Sequence, residues 1–157
     1  MRMRAAKQSD IDKLMAWFDS AERTRRWGGP NFEYPFTRES FLRDLKWSAM
    51  HSFCLVDKHD VMLGFGQFYE RFGRNHLARI AVAPDARGRG HGVVLVNGLI
   101  AAADAMFPGR DSSLYVYHDN SAAIACYRHA GFAESPSPDE GETFSDCLFM
   151  IATNAGS

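Results

Sequence analysis

The chain has few cysteines, lacks long apolar runs and carries an almost balanced charge. Its three cysteines, Cys54, Cys126 and Cys147, form no CxxC pair and stand at no metal-ligand spacing. This argues against a metal site or disulfide framework and predicts reduced thiols in the cytoplasm. No run could cross a bilayer, and no apolar signal-peptide core follows the basic start at Met1–Arg4. A formal net charge of −1 gives no sign of a nucleic-acid or membrane partner.

What is present suits one globular domain over residues 1–157. The chain is 46% hydrophobic, enough for a substantial core, and it shows no internal repeat. Met1 to Ala5 alternates like a half-buried strand. Ser9 is expected to cap a helix running to about Glu22, followed by an aromatic loop from Thr24 to Pro35. Thr37 is expected to cap a second helix, which completes a helical lobe.

Strand patterns fill much of the remaining chain. Gly64 and Gly66 leave one strand with little side-chain cover, which is typical of a bulge or close packing. The last five residues, 153–157, are expected to be a frayed tail. The expected strands, the last two forming a hairpin, cover residues 53–57, 61–69, 77–83, 114–117, 132–134 and 143–152.

The most informative segment runs from Leu77 to Phe107. A short apolar strand ends at Pro84, three glycines alternate with basic or polar residues, and a strongly apolar helix follows. The first turn of a helix has unpaired backbone N–H groups and partial positive charge. Glycines leave those N–H groups accessible, and Arg87 and Arg89 add positive potential. The order of strand, glycine turn and helix therefore predicts a phosphate or pyrophosphate site.

Two known types of glycine-rich phosphate-binding loop are excluded, because residues that each of them requires are absent. A P-loop needs a Lys-Ser or Lys-Thr pair, and none is present. A dinucleotide fingerprint counted from Gly88 has Val93 where its third glycine belongs. Its ribose-binding acid should end the following strand, but Asp111 precedes that strand.

The pattern Arg/Gln-x-x-Gly-x-Gly/Ala fits instead, through Arg87, Gly90 and Gly92. A second block starts at Asn120 and follows Asn-x-x-Ala-x-x-x-Tyr-x-x-x-Gly-Phe as far as Phe132. With both blocks, the chain resembles the GNAT superfamily of N-acetyltransferases over residues 77–132, its acyl-CoA-binding core. The resemblance implies an α/β (α+β) fold with a mixed sheet of about six to seven strands. That sheet should be splayed at the cofactor site and flanked by about four helices.

The resemblance also implies acetyl-CoA as cofactor and no metal. The pyrophosphate is expected on the turn amides, and pantetheine along the strand edge opposite residues 114–117. Val82 is the simplest backbone donor to the reacting carbonyl oxygen. The cofactor-binding residues implied by the resemblance are Ile80, Ala81, Val82, Arg87, Gly88, Arg89, Gly90, His91, Gly92, Val93, Asn120 and Tyr127.

Tyr127 matches the position of the family's general acid, which protonates the leaving thiolate. A phenol is protonated at neutral pH and can serve that role. The base is not specified by the sequence. Some members of the superfamily have a glutamate shortly before the signature asparagine, but the corresponding residues 115–118 here contain no acid. Glu70 is taken as the candidate base, with His76, His118, Glu33 and a water relay as alternatives.

The acceptor is expected to be a primary amine of a small molecule or peptide, bound on the side of the 1–50 lobe. The residues expected to contact it are Trp27, Phe32, Glu33 and Tyr34. Acidic residues of the lobe and of the loop before the last strand could attract a cation, so polyamine, aminoglycoside, amino acid and protein N-terminus all stay open. A module that binds acyl-CoA without turnover is the alternative function. The sequence does not fix the number of subunits, and a homodimer is possible.

Overall fold

The computed structural model describes residues 1–139, 141 and 144–154. In that part of the chain, five α-helices and a short 3₁₀ turn accompany one seven-stranded sheet with the order β1-β2-β3-β4-β5-β7-β6. The predicted mixed sheet is confirmed. The elements are β1 Arg2–Ala5, α1 Gln8–Met15, α2 Ala21–Gly28, α3 Arg38–Asp44, β2 His51–Val56, β3 Met62–Arg71, β4 Arg74–Val82, the 3₁₀ turn Pro84–Ala86, α4 His91–Met106, β5 Ser112–Tyr117, α5 Ser121–His129, β6 Ala133–Ser135 and β7 Cys147–Ala152.

The sheet opens between its two central strands. Strands β1 to β4 form an antiparallel meander, and β5, β7 and β6 form an antiparallel ribbon. The two parts join through the parallel pair β4–β5, whose register contains only Asn75 opposite Ser112 and His76 opposite Ser113. Beyond His76 the two strands diverge, so the predicted splay is confirmed.

Helix α4 packs closely on the meander because two glycines face it. A Cβ on Gly64 would lie 2.9 Å from Leu95, and one on Gly66 would overlap Leu99. The two leucines are fully buried in a core that also holds Leu77. The expectation of close packing at these glycines is confirmed, and α4 packs directly against β3 of the meander.

The helical lobe differs from its sequence prediction in one place. The single helix predicted up to Glu22 is wrong, because α1 ends at Met15 and a separate helix α2 begins after Ser20. Ser20 caps α2 by accepting the backbone N–H of Arg23 at 3.1 Å. Residues 24–28, expected in a loop, are therefore helical.

The start of α1 is also earlier than predicted. The N-cap is Lys7 rather than Ser9, because the Asp10 carboxylate accepts the Lys7 backbone N–H at 2.7 Å. Asp10 also pairs with Arg4 at 2.8 Å, which fixes α1 against β1. By contrast, the predicted cap of α3 is confirmed, since the Thr37 side chain accepts the Ser40 N–H.

Asn154 is held by hydrogen bonds to two aspartates. Its backbone N–H donates to Asp111 and its side-chain amide donates to Asp104, both at 2.8 Å. Residues 155–157 of the expected tail lie outside the described residues, as do 142 and 143 at the predicted start of the last strand, and β7 begins at Cys147. None of the described helices combines the length and hydropathy needed to span a bilayer.

Candidate active site

A cleft of about 1090 Å³ lies where β4 and β5 diverge. One wall is the exposed edge of β4 and the opposite wall is β5. The ends of α4 and α5 line one end of the cleft, and residues of α2 and the loop after it line the other. The split therefore makes a channel that reaches from the glycine turn to the helical lobe.

The glycine turn leaves the start of α4 open. Gly88 and Gly90 have φ angles of +78° and +79°, which L side chains rarely adopt, and no atom lies within 4 Å of where their Cβ atoms would be. Gly90 is the N-cap, so the first backbone N–H groups of α4, from His91 onward, point into open space. Arg87 lines the cleft beside this turn. These features fit a pyrophosphate.

Gly92 has a different role from the two glycines before it. A Cβ there would lie 3.2 Å from Cys126 Sγ on α5. This spacing lets α4 and α5 approach each other next to the cleft. Gly92 therefore serves helix packing in addition to any contact with the cofactor.

The open edge of β4 directs one backbone N–H into the split. Ala83 donates its N–H to the Leu63 carbonyl of β3 at 2.8 Å. Neighbouring residues of an extended strand turn their N–H groups to opposite sides. The N–H of Val82 consequently faces the side from which β5 has diverged, as the sequence analysis expected of the donor to the reacting carbonyl oxygen.

A bulge in β4 lies next to that edge. Arg79 and Ile80 stand opposite the single residue Gly66 of β3, and Arg79 has a left-handed φ of +50°. Sequence analysis had allowed a bulge at Gly66 but had not singled out Arg79. The register of two strands is needed to find it.

The bulge connects the sheet to the helical lobe through Arg79. The Trp27 indole N–H donates to the Arg79 carbonyl at 2.8 Å, and the Arg79 guanidinium donates to the Gly28 carbonyl at 3.1 Å. The same guanidinium donates to Gln67 at 3.0 Å. Burial lowers the pKa of Arg79 from its ordinary value, although an arginine remains charged at neutral pH.

Tyr127 and Asn120 both line the cleft from α5. Asn120 caps the helix by accepting the Ala123 N–H at 3.3 Å. Within the described residues, no side-chain hydrogen bond involves the Tyr127 hydroxyl, and its ring packs edge-on against Phe132. Burial raises the pKa of Tyr127, so the phenol stays protonated well above neutral pH.

The structure does not bring Glu70 into the cleft. Its neighbours Tyr69 and Arg71 line the cleft, and alternation along β3 turns Glu70 to the opposite face. There the exposed Glu70 carboxylate lies 4.0 Å from Arg110. The position of Glu70 therefore gives no support to its expected role as base.

The alternative bases are no better suited to accept the proton of the amine. His76 lines the cleft, but its Nδ1 lies 2.8 Å from Ser113 Oγ, and burial lowers its pKa to about 3. Such an imidazole is a poor proton acceptor at neutral pH. His118 is exposed and, like Glu33, does not line the cleft.

Two of the four residues expected at the acceptor lie along the cleft and two do not. Trp27 and Phe32 line it, and Trp27 also stacks on Phe18 at 4.1 Å between ring centroids. Glu33 does not line the cleft but lies 3.7 Å from Arg43, which does, and Tyr34 packs on Phe36 outside the lining. Trp27 and Phe32 thus serve both the lobe core and the cleft wall.

A sheet that opens beside a helix start with no side-chain cap fits the binding of an acyl-CoA, as in acyl-CoA-dependent acyltransferases. A model of the acetyltransferase (GNAT) family matches residues 15–132, and the chain belongs to that family. It is accordingly an N-acetyltransferase that uses acetyl-CoA.

Solved structures share the fold. The spermidine N-acetyltransferase from Vibrio cholerae, in complex with CoA and spermine, superposes with a TM-score of 0.73 at 19% identity, over 95% of this chain and 92% of the other. The aminoglycoside acetyltransferase AAC(6')-Ib, in complex with ribostamycin and coenzyme A, gives a TM-score of 0.76 at 19% identity, over 98% and 93%. At these identities the likeness concerns the fold.

Proposed function

We propose that the cleft between β4 and β5 is the active site, in which a primary amine attacks the acetyl group directly. The observation that carries the proposal is the divergence of the two strands beside the open start of α4. Backbone N–H groups from Gly88 to Val93 would hold the pyrophosphate, with Arg87 and Arg89 adding charge. Ile80, Ala81 and Asn120 would hold the pantetheine.

Two groups of the chain take part in the chemistry, the Val82 N–H and the Tyr127 hydroxyl. Bound acetyl-CoA supplies an acetyl group activated as a thioester. The Val82 N–H stabilises negative charge on the reacting carbonyl oxygen. The protonated Tyr127 hydroxyl donates to the departing sulfur. The amine proton passes to water, because Glu70 faces away and the neutral His76 is a weak base.

The cleft itself favours the neutral amine. Among the described residues, its lining has seven arginine and lysine side chains and one carboxylate, Asp44. Positive charge disfavours an ammonium ion and lowers the pKa of a bound amine. This environment would help an amine to lose its proton to water where the described residues of the cleft provide no suitable base.

Related structures support an amine as acceptor. The two solved structures are complexes with spermine and with ribostamycin, which are both amines, and each also contains CoA. For this protein we propose a small-molecule or peptide amine, with Trp27 and Phe32 as its contacts in the lobe. Glu33 and Tyr34 follow Phe32 in the same loop but do not line the cleft, so we do not include them among the proposed contacts.

The test is thiol release from acetyl-CoA with a broad panel of amines. We expect amine-dependent release that rises with pH as more amine becomes neutral. Tight CoA binding without release for any amine, from neutral to alkaline pH, would instead identify a module that binds acyl-CoA without turnover.

The proposal extends to location and assembly. The three cysteines form no disulfide among the described residues, which supports the reducing cytoplasm as the site of action. A homodimer is proposed on family resemblance alone. Fractionation of cells and light scattering at several protein concentrations test these two points.

A further inference from the structure

The charge of the acceptor side of the cleft is opposite to that expected for a cationic substrate. Apart from Arg87 at the glycine turn, the lining holds six arginine and lysine side chains and only one carboxylate among the residues that the structure describes. That carboxylate, Asp44, is itself hydrogen-bonded to Arg43 at 3.1 Å and to the Glu33 N–H at 2.9 Å. A polyamine entering this cleft would find no unpaired carboxylate among these lining residues.

Most of these cations already have an acidic partner. The pairs are Arg23 with Asp19, Arg26 with Asp119, Arg43 with Asp44, and Arg71 with Asp139, at 3.1, 2.8, 3.1 and 3.7 Å. Lys46 is exposed at the rim, where water solvates it. Each of these charges is balanced or hydrated.

Arg79 is the exception. Within the described ranges no carboxylate lies within 4.0 Å of its guanidinium. Its hydrogen bonds go to neutral acceptors, from Nε to the Gly28 carbonyl and from Nη1 to Gln67 Oε1 and Met50 Sδ. The group is half-buried, lines the cleft, and belongs to the β4 bulge directly before Ile80 to Val82. A partly desolvated cation without an anion is costly unless a ligand supplies one.

We propose that the acceptor amine also carries a carboxylate, which pairs with the Arg79 guanidinium, so that the substrate is an amino acid or a closely similar amino carboxylate. This rests on the proposed function. The acceptor nitrogen forms a bond to the acetyl carbonyl carbon, and the carbon–sulfur bond breaks. The amine proton leaves to water and the sulfur gains a proton through Tyr127, giving an N-acetyl amino acid and free CoA.

The geometry suits this pairing. The Nη2 amino group of the guanidinium has no hydrogen-bond partner among the described residues, so its N–H groups can donate to a carboxylate. Arg79 lies three residues before Val82 on β4, and both residues line the cleft. The amine nitrogen of an amino acid, a short distance from its carboxylate, would then lie near the reacting carbonyl.

The first experiment compares L-amino acids with their own carboxamides in the thiol-release assay. The panel is glycine, leucine, phenylalanine, aspartate and lysine, each beside its amide, with spermidine as a cationic reference. We expect kcat/KM for at least one acid to exceed that of its amide by roughly tenfold or more, the value of a charged hydrogen bond. The amine of the carboxamide is less basic, so a larger fraction of it is neutral at a given pH. Amine ionisation alone therefore predicts that the carboxamide reacts better than the acid. Amides or spermidine reacting better than every acid would overturn the proposal while leaving acetyl transfer intact.

A binding measurement separates this proposal from the proposed function. Calorimetry with CoA present compares the N-acetyl amino acids of the panel with their N-acetyl carboxamides. Preferential binding of acids without any turnover would refute acetyl transfer to these amines and still support the carboxylate site. Equal or weaker binding of every acid, together with no turnover of acids, would overturn it.

Variants assign the effect to Arg79. Arg79→Gln should remove the preference for acids over amides, whereas Arg79→Lys should retain part of it through the remaining charge. Arg23→Gln, at the rim beside Asp19, is the matched control and should keep the preference. Loss of the preference in the control but not in Arg79→Gln would overturn the assignment. If Arg79→Gln does not fold, the dependence of the acid-to-amide ratio on salt in the unchanged protein decides, since a site of this kind loses preference as salt rises.

Discussion

At the scale of single residues, Tyr127 allows a clean test because its hydroxyl has no other hydrogen-bonding role among the described residues. Tyr127→Phe should lower turnover roughly 100-fold, at the lower end for general-acid catalysis. Acetyl-CoA affinity should change little, because the lost contact acts mainly in the transition state. Steady-state kinetics with calorimetry measures the two effects separately.

Asn120→Ala is the companion variant and should show the opposite pattern. It removes the cap of α5 and a cofactor contact, so CoA affinity should fall more than turnover. An acyl donor with a better thiol leaving group should partly rescue Tyr127→Phe and not Asn120→Ala. If Tyr127→Phe unfolds the protein or leaves turnover intact, the tyrosine has a structural role only.

The buried side chain of His76 makes the stability of the fold depend on pH. It is 2% exposed, and burial with a smaller effect from Arg71 lowers its pKa to about 3. In the unfolded chain a histidine has a pKa near 6.5. Below that pH the unfolded state therefore binds a proton that the folded state does not bind. Stability from this group is complete above pH 6.5 and falls toward pH 3.

We expect His76 to reduce the free energy of unfolding by about 2 kcal/mol between pH 6.5 and pH 5, at roughly 1.4 kcal/mol per pH unit. Urea unfolding at several pH values measures the slope. His76→Gln should flatten it, whatever its effect on absolute stability, while His59→Gln in the exposed turn after β2 should not. An unchanged slope in His76→Gln would mean that His76 is protonated in the fold.

At the scale of elements, the two ends of α4 provide matched variants. Gly90 before the helix and Gly109 after it have φ angles of +79° and +82°, each with open space at the Cβ position. Glutamate at either site should cost similar stability, about 1–2 kcal/mol for a left-handed residue. Only Gly90→Glu brings a negative charge to the open amides of the helix start.

CoA affinity should accordingly fall at least tenfold in Gly90→Glu and stay unchanged in Gly109→Glu. Calorimetry on both folded variants tests this. Equal affinities in the two variants would remove the glycine turn from the cofactor site. Gly92 is unsuitable for the test, because a side chain there also meets Cys126.

Local sequence was sufficient for the features that depend on neighbours along the chain. The glycine turn, the Thr37 cap and the Asn120 block each lie within a few residues, so their patterns were readable. The starts of α1 and α2 were missed because they depend on competing hydrogen bonds. Asp10 moves the cap to Lys7, and Ser20 starts a new helix where the apolar pattern had suggested continuation.

The acceptor side depends on contacts between distant segments and could not be predicted in the same way. Glu70 was chosen from proximity along the chain, but strand alternation decides which face a residue occupies, and one residue's shift reverses it. Arg79 became significant only after the register of β3 and β4 placed it in a bulge against α2. The cleft charge likewise emerges from residues spread over several elements.

At the scale of the whole molecule, the described residues form two hydrophobic cores. One core joins α4 with the meander and the ribbon, and the other joins the helical lobe to β2 and β3. The lobe therefore contacts the meander and is tied to β4 at Arg79. Both walls of the cleft belong to well-packed parts, which suits a preformed site.

The two-residue pairing of β4 with β5 has a consequence for cooperativity. In native-state hydrogen exchange, the ribbon from β5 to β6 should open at a lower free energy than β3, because few backbone bonds hold it to the meander. Bound CoA, contacting both sides, should raise amide protection in β5 and β7 well beyond the residues that it touches. Bound CoA would then couple the meander to the ribbon, so that the two parts of the sheet exchange as one cooperative unit.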